Sequence, residues 1–165
     1  MAKKTKVEKT NAARILDSRK ADYQLVELGI EEAKSAEEVA NLLDVSAKHV
    51  YKTLVTEGKS KEHYVFVIPA DSKLDLKKAA KAAGEKSIAP IRQQELLPLT
   101  GYVHGGCSPI GMKKQFKTFI QQDSQQLDYF FFSAGKIGFQ IKTNYQELSK
   151  VVQINPADLI ESANQ

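Results

Sequence analysis

Residues 100–111 read TGYVHGGCSPIG, four glycines and a proline in twelve positions, with an aromatic, a histidine, a thiol and a hydroxyl between them. Glycine reaches positive φ and lets a ligand approach bare main-chain amides. Pro109 fixes its own φ and removes one donor, so the loop after Gly105-Gly106 is stiff as well as sharp. Successive free N–H groups in such a turn can form a nest for an anion or a developing oxyanion. A glycine-rich corner between two strands has the same composition. No lysine-plus-hydroxyl ending of the phosphate-loop kind follows, and no strand–GxGxxG–helix context for a dinucleotide.

Working outward, Gln93 to Leu97 predicts one helical turn stopped by Pro98. Beyond the loop, residues 116–120 and 129–133 read as strands, 134–136 as a tight turn, and 138–143 as the returning strand. Asn144 with Glu147 predicts a helix cap and a helix to about Val152. Pro156 then precedes a final weak helical segment over 157–162.

Upstream, the decisive stretch is VYKTLV at 50–55, ended by Gly58. Its β-branched and aromatic residues favour a strand. At period two Lys52 shares a face with Val50 and Leu54, while Tyr51, Thr53 and Val55 share the other. Both faces are largely apolar, which implies a strand covered on both sides. A lysine there must snorkel, pair with an acid, or point into a cavity where a ligand meets it. YVFVIP at 64–69 reads as a further strand, and residues 74–83 as a lysine- and alanine-rich helix closed by Gly84. Residues 87–89 form a short strand stopped by Pro90. Nearer the start, residues 10–19 carry an apolar helical stripe and 23–28 a short strand ending at Gly29. Ser35 and Glu38 form a capping-box pattern for a helix to Leu43, with Val39, Ala40, Leu42 and Leu43 expected to face the core; Ser46 caps one more turn.

Short strands, interspersed helices and many turns give the expected fold class: α/β (α+β), a mixed, mostly antiparallel sheet curved into a barrel-like core with surrounding helices. At 165 residues the chain suits one domain, residues 10–162, behind a basic flexible tail at 1–9. The formal charge is +4. Lys3, Lys4, Lys6 and Lys9 against Glu8 hold most of it, so the body is near neutral. Local clusters at Lys73-Lys77-Lys78-Lys81 and Lys113-Lys114-Lys117 suit phosphate contact or plain solvation alike. No apolar run reaches membrane-spanning length and no signal-peptide core follows Met1. One cysteine excludes an internal disulfide and fits a reducing cytoplasm.

The chain offers little catalytic equipment of its own. Cys107 has His104 near it in sequence but no orienting Asp or Asn nearby. With one cysteine and scattered His49, His63 and His104, no metal-ligand spacing exists, and neither a metal nor a cofactor is expected. No Ser–His–acid arrangement can be recognised. Ser133 ends an apolar strand with Gly135 and Gly138 beyond it. A hydroxyl beside bare glycine backbone suits either a ligand contact or an ordinary turn.

VYKTLV, TGYVHGGCSPIG and FFFSAGKIGFQI, in that order and at these separations, resemble the YbaK/EbsC family, over nearly the whole chain. Its members are freestanding aminoacyl-tRNA deacylases similar to the editing domain inserted in bacterial prolyl-tRNA synthetases. By this resemblance Lys52 and Thr53 match the family's lysine and threonine. Gly105-Gly106 match its substrate-facing loop and Ser133 its late pocket serine. The candidate catalytic residues are then Lys52, Gly105 and Gly106; Thr53, Tyr102, Ser108, Ser133, Gly135 and Gln140 are the candidate substrate contacts.

The resemblance implies cleavage of the ester joining a wrong amino acid to the terminal adenosine of a mischarged tRNA, typically cysteine on proline tRNA. The substrate's own thiol would attack its carbonyl carbon, with the protein supplying orientation and electrostatic stabilisation. Prolyl-tRNA synthetase becomes a candidate partner, with Lys3 to Lys9 a further contact to tRNA. Two positions depart from the cysteine-clearing pattern. Leu28 stands where those members carry a tyrosine, and Gln140 where they carry an acid. The alternatives are a deacylase for another small amino acid, such as alanine on proline tRNA, or a non-catalytic tRNA- or protein-binding module of the same fold.

Overall fold

A computed structural model describes residues 8–162. Most of the lysine-rich start, Lys3, Lys4 and Lys6 included, lies outside the described residues. Lys9 is described and pairs with Asp17 at 2.6 Å.

The centre of the molecule is β3 (His63–Pro69). Val65 and Val67 on one face and Phe66 and Ile68 on the other are all fully buried, as an unbroken apolar run requires when both sides are covered. β2 (Tyr51–Gly58) pairs antiparallel with β3 and with β4 (Ile88–Pro90). β5 (Lys117–Gln121) runs parallel to β3, and β8 (Ile154–Ala157) parallel to β5, which completes a five-stranded sheet. A second sheet has the order β1 (Gln24–Glu27), β7 (Phe139–Thr143), β6 (Phe130–Ser133), all antiparallel. The mixed, mostly antiparallel architecture is the one expected. Among the described residues the barrel-like core takes the form of two sheets joined by one parallel bridge, Val50–Phe131, without a closed wall.

One apolar cluster fills the space between the sheets, with Leu16, Val65, Val67, Ile120, Phe130, Phe132 and Ile141 at its heart. Each such side chain contributes about 1.5–3 kcal/mol by leaving water. A second cluster, around Phe66, Ile68 and Phe119, is roofed by α3 (Leu76–Ala83) through Ala79 and Ala80. A third joins Val50 and Phe131 to Val39 and Ala40 of α2 (Ala36–Leu43). No helix among the described residues is long and apolar enough to cross a membrane.

Local signals hold at most helix ends. Thr10 caps α1 (Asn11–Ser18), Ser35 and Glu38 form a complete capping box, and Asp75 caps α3, which Gly84 closes at φ 75°. Four expectations need correcting. Pro98 lies inside α4 (Gln93–Thr100) instead of ending it. So near the C-terminus its missing N–H removes one bond, and the helix closes at Gly101 through an N–H to Leu97 O at 2.9 Å. Residues 157–162 are not helical; Pro156 sits within β8, an edge strand whose outer side needs no donor. α5 (Tyr145–Leu148) stops well before Val152, because Lys150 and Val151 tighten to bonds three residues back, onto Glu147 and Leu148. Leu42 is 52% exposed, since Val39 and Ala40 already supply the buried stripe of α2.

Candidate active site

Val50, the residue before β2, bridges Phe131 of β6, and β2 and β6 make no ladder with each other. Past that bridge the two sheets part. A cavity of about 320 Å³ opens in the split, at the lower end of the range for small-molecule sites. Val50 and the start of β2, Tyr51 to Leu54, line one side, and Ser133 and Gln140 of the other sheet line the opposite side. Ser133 and Gln140 are direct cross-strand partners on β6 and β7. The start of α2, from Lys34 to Glu37, forms part of the rim, and Leu96 with His104, Gly105 and Cys107 completes the wall.

Lys52 reaches this cavity half-buried. Its ammonium donates to Ala70 O at 3.2 Å. Burial holds its pKa below the ordinary 10.5, and the charges of Glu37 and Asp71 pull the other way. Beside it, Thr53 Oγ1 is buried and has no partner among the described residues. Gln140 is 7% exposed, and its Oε1 is likewise without a partner. Tyr51, which also lines the cavity, has a buried hydroxyl in the same state. Such atoms are unfavourable by about 1–3 kcal/mol each, so three of them on the lining residues of one cavity point to a polar ligand. Ser133 Oγ accepts from Gly135 N at 3.1 Å, which leaves its hydroxyl proton free to donate.

The glycine loop divides into a working part and a scaffold. Gly105 lines the cavity at φ 88°, and a Cβ there would stand 2.5 Å from Ala33 Cβ. Gly106 does not line it, and its N–H already donates to Val103 O at 2.9 Å. Tyr102, expected as a substrate contact, instead staples the loop: its hydroxyl donates to Ile110 O and its ring packs over Gly135. Ser108 is fully buried and accepts from Ile110 N at 3.2 Å. Tyr102, Ser108, Gly106 and Gly135 therefore shape the site from behind.

Cys107 touches the cavity, but burial pushes its thiol up to about 12, far from a thiolate at neutral pH. Leu28 packs against the third cluster and is not part of the cavity wall. Sequence reasoning missed the α2 entrance, Ala70 and Leu96. The Ser35–Glu38 cap was visible, but nothing local said that this helix end would stand over Lys52.

The profile of the aminoacyl-tRNA editing domain matches residues 30–151. The chain belongs to that family. The matched range contains every residue around the cavity. Outside it lie α1, β1 and β8; α1 and β8 add Leu16 and Ile154 to the core, and β1 pairs with β7. Among relatives, the chain is 46% identical over 143 residues to an Enterococcus faecalis protein named "Putative Cys-tRNA(Pro)/Cys-tRNA(Cys) deacylase EbsC", covering 86% of this chain and 87% of that one. It is 30% identical over 92 residues to the proline--tRNA ligase of Thermodesulfovibrio yellowstonii, covering 56% of this chain and 16% of the ligase. A solved structure titled as a "putative trans-editing enzyme for prolyl tRNA synthetase" superposes with a TM-score of 0.80 at 24% identity, over 94% of this chain and all of that one. At that identity the likeness concerns the fold.

Proposed function

We propose that this protein is an aminoacyl-tRNA deacylase of the cytoplasm that clears mischarged tRNA, with cysteine on proline tRNA as its substrate. The observation that carries the reading is the assembly of Lys52, Thr53, Gly105, Ser133 and Gln140 around one cavity of a size suited to an aminoacyl-adenosine. The relative 46% identical to this chain supports the substrate class. In this reading Lys52 holds the phosphate–ribose end of the terminal nucleotide, and Ser133 donates to the ribose or the ester.

Cys107, the one thiol of the chain, is no ready nucleophile, because burial pushes it up to about 12. With a cysteinyl substrate the reacting sulfur comes from the substrate. Its thiolate bonds to the ester carbonyl carbon, the bond from that carbon to the ribose oxygen breaks, and the ribose oxygen takes up the proton that the thiol gave. Holding the two groups together on one small residue supplies the proximity term. Gln140 favours a second reading, release of alanine, because it puts a neutral amide in the wall where, by the resemblance, cysteine-clearing members carry an acid. An alanyl ester has no thiol, so water would attack.

A near-neutral body binds tRNA weakly and with a salt-dependent affinity. Prolyl-tRNA synthetase would then supply the choice of tRNA, and the lysines before residue 10 an added contact. The test is a deacylation panel on Cys-tRNA(Pro), Ala-tRNA(Pro), Pro-tRNA(Pro) and Cys-tRNA(Cys). Release of cysteine is expected. Release confined to alanine selects the second reading, and no release with tRNA still bound makes the domain a binding module.

A further inference from the structure

The main chain of β2 has a gap one residue wide on the side of the cavity. Val50 O accepts from Ala70 N at 2.7 Å, and the register sets Lys52 opposite Ile68 and Leu54 opposite Phe66. In an antiparallel pair, residues alternate between exchanging both main-chain bonds and turning both groups away. Lys52 and Leu54 therefore bond to β3, while Tyr51, Thr53 and Val55 turn their N–H and C=O to the other edge. That edge is covered at both ends of this stretch. Ile91 N donates to Val55 O at 3.3 Å as the chain leaves β4, and β6 comes against the strand at the Val50–Phe131 bridge. Between them no strand among the described residues pairs with Thr53 on that side, and Thr53 lines the cavity.

We propose that the Thr53 main chain grips the aminoacyl group as if it were one residue of an added antiparallel strand. Thr53 C=O accepts from the substrate's α-ammonium, and Thr53 N–H donates to the ester carbonyl oxygen. This rests on the deacylase reading and specifies how that site recognises its substrate. An amino-acid ester carries a donor and an acceptor one residue apart, with a spacing set by the same N–Cα–C geometry as in a strand. It is the complement of an unpaired strand residue. A peptide would continue into Ile91 or Phe131; a single residue fits.

The same contact serves the chemistry. When water or the substrate's thiol bonds to the carbonyl carbon, negative charge gathers on the carbonyl oxygen. Thr53 N–H donates to it there, until the bond to the ribose oxygen breaks and that oxygen takes the nucleophile's proton. One fixed donor of this kind is worth about 10²–10³ in rate. The neighbouring candidate, Gly106 N–H, is already committed to Val103 O.

The experiment uses the full chain, ¹⁵N-labelled, with a stable amide analogue, L-alanine joined to 3′-amino-3′-deoxyadenosine. On binding, the Thr53 amide resonance shifts downfield and its exchange with solvent slows at least about tenfold, while the Leu54 amide, bonded to β3, stays still. An N-acetylated analogue, which lacks the ammonium, binds at least about tenfold more weakly. Replacing Thr53 by the α-hydroxy acid of the same side chain turns the N–H into an ester oxygen and lowers kcat about a hundredfold. Binding that perturbs Lys52 and Gly105 but leaves the Thr53 amide exchanging freely overturns this inference and leaves the deacylase reading intact. So does an unchanged kcat in the backbone-ester variant. Absence of both analogue binding and deacylation overturns the two together.

Discussion

The ammonium of Lys52 donates to the main-chain carbonyl of Ala70 at 3.2 Å, and no carboxylate forms an ion pair with it among the described residues. A lysine held this way is kept for something other than stability. Burial lowers its folded pKa below 10.5. Below that folded value it is charged in both states, and the folded state bears the desolvation penalty. Above 10.5 it is neutral in both, and the penalty is gone. Lys52→Met should therefore raise the thermal midpoint at neutral pH, with the advantage vanishing as the pH passes 10.5, while deacylation falls at least about a hundredfold. Melting curves across that range, with rates, check it; a lower midpoint at neutral pH together with full activity would remove Lys52 from the site.

Cys107→Ala should keep deacylation within a few-fold of the parent. Its thiol, pushed up to about 12, supplies almost no thiolate near neutrality, and alkylating reagents should label it slowly in the folded protein. Mass spectrometry after incubation with cysteinyl-tRNA gives the decisive reading. An acyl adduct on Cys107 would make the protein thiol the nucleophile.

Gly105→Ala should destabilise the fold through two separable effects. The backbone at φ 88° is unfavourable for a residue with a Cβ by about 1–2 kcal/mol, and the new Cβ would meet Ala33 Cβ at 2.5 Å. Adding Ala33→Gly should relieve the contact and leave the conformational part. Denaturant melts of the two single variants and the double variant measure this; strictly additive losses would show that Ala33 is not the obstacle.

Gln140→Glu should change the ratio of cysteine to alanine release by about tenfold or more, since it puts a charge where Oε1 now stands buried and unpaired. The two substrates compared at one pH provide the test. An unchanged ratio would exclude residue 140 from amino-acid choice.

Much of this was legible because it is local. YVFVIP at 64–69 announced a strand, Ser35 and Glu38 announced a helix start, and a lysine on an apolar strand left a cavity among the places Lys52 could point, which it does line. What stayed hidden depends on pairing across long separations. Pro156 looks like a helix start until β8 is seen at a sheet edge, and Pro98 looks like a stop until Gly101 closes the turn. Tyr102 and Ser108 have the chemistry of ligand contacts. Only the folded loop reveals that Ile110 already takes both.

Among the described residues the Val50–Phe131 bridge is the main-chain link between the two sheets, beside the cavity that opens in their split. Around it lie Val39, Ala40 and Ala70, which touch no reacting atom in the proposed chemistry. Trimming or enlarging Phe131 would turn one sheet against the other and so widen or narrow the jaws between Thr53 and Ser133. A relative could thus keep every polar group of the cavity and still grip a different amino acid, its gauge set by a wedge that the substrate never meets.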